Sequence, residues 1–100
     1  MSDKLVVNVD REIAGLVPRF LTNRAADVEK IRAALACSNF DAIRATGHGL
    51  KGVGTGYGFP AISQLGAAIE EAARRREPGV IASLAEDLDG YLARLDVRFD

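Results

Sequence analysis

The sequence has little of what most catalytic or metal-binding proteins display. It holds one cysteine, one histidine and no tryptophan, with four phenylalanines and two tyrosines in 100 residues. A single cysteine, Cys37, excludes an internal disulfide and favours a reducing compartment. One cysteine and one histidine do not make a zinc site. No apolar run approaches the roughly 20 residues that a membrane span needs. The apolar stretch in Met1 to Asn8 is too short for a signal peptide, so a cytoplasmic protein is expected. Charge of one sign is also missing: 13 basic against 14 acidic residues leave a formal net charge of −1. That excludes a broad basic field for nucleic acid or membrane surfaces, and neither is expected as a partner.

Nucleotide loops are missing too. Gly47-His48-Gly49-Leu50-Lys51-Gly52 satisfies G-x-G-x-x-G, but the residues before it read as helix and no parallel-sheet pattern accompanies it, so the dinucleotide reading lacks its context. Gly47 and Gly52 have the spacing of a phosphate loop, yet Val53 stands where lysine is required.

What is present is an aliphatic, helical chain. Hydrophobic residues make up 48%, and a core poor in aromatics must be built from Leu, Ile, Val and Ala. Leu5 to Val9 reads as extended, with no strand partner apparent; it is expected to lie along the helices or to pair with another copy. Asp10 suits an N-cap, and Arg11 to Leu16 suits a short helix. Pro18 starts or kinks the next helix, which runs to about Cys37 and buries Phe20, Leu21, Val28, Ile31 and Leu35. Cys37 itself reads as a small buried or half-buried apolar residue.

After a Ser38-Asn39 break, a second long helix spans Asn39 to Tyr57. Pro60 opens another, to about Arg76, burying Ile62, Leu65, Ile69, Ala72 and Ala73; Ala61, Gly66, Ala67 and Ala68 permit close neighbours. Glu77-Pro78-Gly79 is a turn, and the last helix runs from about Val80 to Phe99 on a stripe of Ile81, Leu84, Leu88, Tyr91, Leu92 and Leu95. The expected fold is all-α: one domain over residues 1–100, an antiparallel four-helix bundle with a short extra N-terminal helix and an extended segment at 1–9.

The chain is organised around its one histidine. Six glycines fall between Gly47 and Gly58. On a helix advancing about 100° per residue, Phe40, Ile43, Gly47, Leu50, Gly54 and Tyr57 gather on one side. Asp41, Arg44, His48, Lys51, Gly52 and Thr55 gather on the other. His48 points roughly 140° from the apolar stripe, which makes it solvent-facing. Lys51 lies one turn on, and Gly52 leaves bare backbone beside the ring. Gly47 and Gly54 fall on the core side, where they serve helix–helix contact.

The stretch resembles the histidine-containing phosphotransfer (HPt) domain family, whose signature is H-x-L-K-G followed six residues later by glycine: His48, Leu50, Lys51, Gly52 and Gly58. The resemblance implies that His48 accepts a phosphoryl group, that Lys51 stabilises it and that Gly52 permits close docking. It implies receiver domains and a histidine kinase as partners. The accepting aspartate and its Mg2+ would belong to the receiver, and no cofactor of the chain's own is expected. With no ATP element, the chain reads as a phosphocarrier and not an enzyme.

The expected partner surface is Asp41, Arg44, Ala45, Gly49, Gly52, Thr55 and Gly56. The family often brings a second polar group from the following helix. Arg74 to Arg76 lie in that helix and otherwise read as a solvated cap helped by the helix dipole; Glu70 reads as structural. A monomer is expected. The alternative is a helical adaptor that binds receiver domains without taking up phosphate.

Overall fold

The computed structural model describes residues 3–100. In chain order the elements are strand β1 (Leu5–Val9), a 3-10 segment (Arg11–Leu16), helix α1 (Val17–Ala36), helix α2 (Phe40–Val53), a second 3-10 segment (Thr55–Tyr57), helix α3 (Pro60–Arg74), helix α4 (Pro78–Arg94) and strand β2 (Leu95–Phe99).

Local chemistry sets the boundaries. Pro18, Pro60 and Pro78 sit in the first turns of α1, α3 and α4, where a missing N–H costs no helical hydrogen bond. The Asp10 carboxylate accepts from the Glu12 amide at 2.9 Å and opens the first 3-10 segment. Asn39 caps α2 by accepting from the Ala42 amide at 3.1 Å. Gly58 has a φ of 91°, a left-handed conformation that glycine adopts without strain. It turns the chain from the second 3-10 segment into Phe59 and α3.

All four helices contribute to one aliphatic core. Ile31 of α1, Ile43 and Leu50 of α2, Ile62 and Ile69 of α3, and Ile81 and Leu88 of α4 are fully or almost fully buried, with Phe59 from the α2–α3 link among them. Each such side chain contributes roughly 1.5–3 kcal/mol by leaving water. Among the described residues no charged or polar side chain is buried with them. The core is built as its composition implies.

The ends of the chain differ from expectation. Leu5–Val9 neither lies alone nor awaits another copy: it pairs in parallel with β2, from Leu5 opposite Leu95 to Val9 opposite Phe99. The last helix therefore stops at Arg94 and not at Phe99. Leu95-Asp96-Val97-Arg98-Phe99 alternates apolar and charged residues, the period of a strand with one face toward a core.

The first short helix is a 3-10 segment rather than an α-helix. The His48 helix ends at Val53, short of Tyr57, where closely spaced glycines weaken helical propensity. Cys37 is exposed, not buried; it occupies the C-cap of α1, and its Sγ lies 3.4 Å from the Ala34 carbonyl oxygen. No helix among the described residues is long and apolar enough to cross a membrane.

Candidate functional site

Two glycines bring the site together. A Cβ at Gly47 of α2 would stand 2.7 Å from the Glu70 backbone nitrogen and 2.9 Å from the Gly66 carbonyl oxygen. A Cβ at Gly66 of α3 would overlap the Lys51 backbone nitrogen. Because neither exists, α2 and α3 lie almost backbone to backbone. Gly54 repeats the arrangement further along, where a Cβ would come within 2.8 Å of the Phe59 carbonyl oxygen. The expectation that Gly47 and Gly54 serve helix contact agrees with this packing.

The close approach places Glu70 of α3 beside His48 of α2. Glu70 Oε2 lies 2.9 Å from His48 Nδ1, and Glu70 Oε1 lies 2.7 Å from Lys51 Nζ. The His48 side chain is 69% exposed, Lys51 is 45% exposed and Glu70 is 24% exposed, so the carboxylate sits lowest in the group. Lys51 first, and His48 second, hold the Glu70 carboxyl below its ordinary range, which keeps it ionised.

An ionised carboxylate only accepts hydrogen bonds. The proton of the neutral ring therefore belongs on Nδ1, donated to Glu70, and the lone pair belongs on Nε2. Among the described residues no protein group hydrogen-bonds Nε2. The arrangement can do one piece of chemistry well: with Nδ1–H held by Glu70, the ring can offer the Nε2 lone pair as a nucleophile.

Arg44, Ala45, His48 and Glu70 line a shallow depression of ≈ 330 Å³. Arg44 and Ala45, expected in a partner surface, thus border the ring. Gly49, Gly52 and Gly56 have open space where a Cβ would stand. Asp41 is exposed in the first turn of α2, well before His48. Thr55 is placed differently from its neighbours. Its amide and hydroxyl both donate to Ser63 Oγ, at 2.8 and 3.0 Å, so it ties the second 3-10 segment to α3.

The arginine run does not reach the ring. Arg74 and Arg75 both bind Glu71, whose carboxyl is pulled down to about 2 by Arg74 and then Arg75. The Arg76 guanidinium lies 5.4 Å from the centroid of the Phe40 ring. The polar group that α3 supplies is Glu70, which sequence reasoning treated as structural. A signal for it existed: Gly66 and Glu70 are one turn apart on α3, as Gly47 and Lys51 are on α2, and matching the two small residues sets Glu70 against His48.

The sequence matches the family model for the Hpt domain over residues 15–97. The chain belongs to the Hpt domain family. Hpt domains are phosphocarriers of two-component signalling and interact, as a family, with kinases and response-regulator receivers. No curated protein and no solved structure matches the chain.

Proposed function

We infer that this Hpt domain carries a phosphoryl group on His48 between receiver-domain aspartates, or from a histidine kinase system to a receiver. The observation that carries the reading is the Glu70 bridge. One carboxylate holds Nδ1–H of the acceptor ring at 2.9 Å and Nζ of Lys51 at 2.7 Å.

In the transfer, Nε2 attacks phosphorus and forms the N–P bond as the bond from phosphorus to the donor's aspartyl oxygen breaks. The aspartate leaves as a carboxylate, and Nδ1 keeps its proton. Positive charge builds on the ring, and Glu70 opposes it from the Nδ1 side. Lys51, on a flexible stem one turn along α2, is within reach of the incoming phosphoryl oxygens. Phosphoryl transfer of this kind depends on positioning and charge more than on acid–base chemistry. Metal chemistry belongs to the receiver, as the Mg2+ that accompanies its aspartate.

Asp41, Arg44, Ala45, Gly49, Gly52 and Gly56 form the surface on which the receiver docks, with Thr55 at its margin. The open glycines support this assignment: bare helix backbone beside an exposed ring admits a partner's loops closely. The short links between α1, α2, α3 and α4 support an antiparallel bundle as the scaffold.

The test is incubation with a phosphorylated receiver domain. A carrier acquires an acid-labile, base-stable label that is absent in His48→Gln. Binding without label in the wild-type chain would instead make it an adaptor.

A further inference from the structure

The strand pair is a ribbon with two bare edges. β1 and β2 bond only to each other, in parallel, as a two-stranded sheet. The outer edge of each strand leaves its N–H and C=O groups without a backbone partner among the described residues. Parallel sheets are ordinarily covered on both faces, and two strands alone are marginally stable. β1 and the last two residues of β2 fall outside the 15–97 family match. Phe99 at the end of β2 is 41% exposed.

The β2 edge is complementary to itself. Two copies set antiparallel about Val97 place Leu95 opposite Phe99, Asp96 opposite Arg98, and Val97 opposite Val97. The pairing is reciprocal, so the Leu95–Phe99 and Asp96–Arg98 contacts each occur twice about the central Val97 pair. Within one chain Asp96 and Arg98 already share a face and form an ion pair at 3.1 Å. Leu95, Val97 and Phe99 share the opposite face, and Leu95 and Val97 pack against the core. The paired arrangement extends that apolar face across both copies and leaves the charges outside. A one-residue slip would set charged residues against apolar ones, and a two-residue slip would set Asp96 against Asp96 or Arg98 against Arg98, so pattern and charge together fix the register. The β1 edge lacks this device, since Leu5–Val9 carries no charged residue.

We propose that the free edge of β2 pairs antiparallel with β2 of a second copy, giving a four-stranded sheet in the order β1, β2, β2, β1. This departs from the monomer expected from the sequence. Five residues per strand make a small interface, so the dimer is weak and concentration-dependent. The ribbon itself packs beside Gly58, where a Cβ would stand 3.5 Å from a Val9 methyl.

Sedimentation equilibrium of the full chain, from micromolar to millimolar concentration, tests it. The average mass should rise from 10.7 kDa toward about twice that value. Asp96→Arg should hold the mass at the monomer value, and Asp96→Arg with Arg98→Asp should restore the rise, all with unchanged helical circular dichroism. Hydrogen exchange supplies a readout without mutation: outer-edge amides of β2 should exchange more slowly as the wild-type concentration rises. A wild-type chain that stays monomeric at millimolar concentration overturns the proposal. So does a dimer that survives Asp96→Arg, or β2 amides indifferent to concentration.

Discussion

The two sides of α2 use the same residue for opposite ends. On the inner side, Gly47 and Gly54 are buried, and any side chain there would strike the backbone of α3 or of the link before it. On the outer side, Gly49 and Gly52 face open space and nothing in the fold requires them. Inner glycines let two helices touch, and that contact sets a carboxylate beside His48. Outer glycines weaken the helix, each by about 1 kcal/mol relative to alanine, and return nothing to its stability. That cost on one face is consistent with the docking surface proposed above.

The difference can be broken at several points. The largest effect belongs to the inner side. Gly47→Ala or Gly66→Ala should destabilise the fold by about 3 kcal/mol, because a Cβ must push backbone rather than a side-chain tip; urea unfolding measures it. Next come the transfer effects. Gly52→Leu should slow phosphotransfer from a receiver by about tenfold, roughly one lost charge-assisted contact's worth of barrier. Rapid-quench labelling measures it with the helical circular dichroism unchanged.

Glu70→Gln should slow transfer by a similar factor, about tenfold. It should also mix the two tautomers of His48, visible in the nitrogen shifts of the ring. The same variant has a pH signature. Glu70 titrates below its ordinary 4.5 in the fold, through Lys51 first and His48 second. Its contacts therefore contribute stability above that ordinary value and lose it as pH falls through the lowered folded value. The stability of Glu70→Gln should fall less steeply with acid than that of the wild type.

A smaller change, of opposite sign to the inner substitutions, is expected from Gly49→Ala and Gly52→Ala: each should stabilise the chain by about 1 kcal/mol. If both destabilise it instead, the outer glycines answer to the fold and the contrast fails. The smallest effect is Arg74→Ala. Its partner is Glu71, away from the ring, and neither transfer nor the urea midpoint should change measurably.

Much of this was legible in the sequence, for reasons that can be named. Residues such as Phe20, Val28 and Ile31, or Ile62 and Ile69, recur at helical spacing, so the helices and most of the core follow from local periodicity. His48 is opposite the apolar stripe of its own helix, so its exposure needed no tertiary knowledge. What escaped depends on distance along the chain. Leu95 continues the stripe of Tyr91 and Leu92, and only its pairing with Leu5 shows where the helix gives way. Glu70 looks like any glutamate on a helix until Gly47 and Gly66 are seen to touch. Thr55 was assigned to the partner face by its angle on a helix that ends before reaching it.

The strand pair joins the segment that precedes the helices to the segment that follows them, with Leu5 beside Leu95. Contacts between residues so remote require nearly the whole chain to be gathered first, and the entropy of that closure is repaid only once they form. The ribbon is therefore expected to assemble last and to fray first on warming. Asn39, Gly47, Gly66 and Glu70 lie outside the ribbon, so His48 is expected to keep its orientation through the earliest stage of melting.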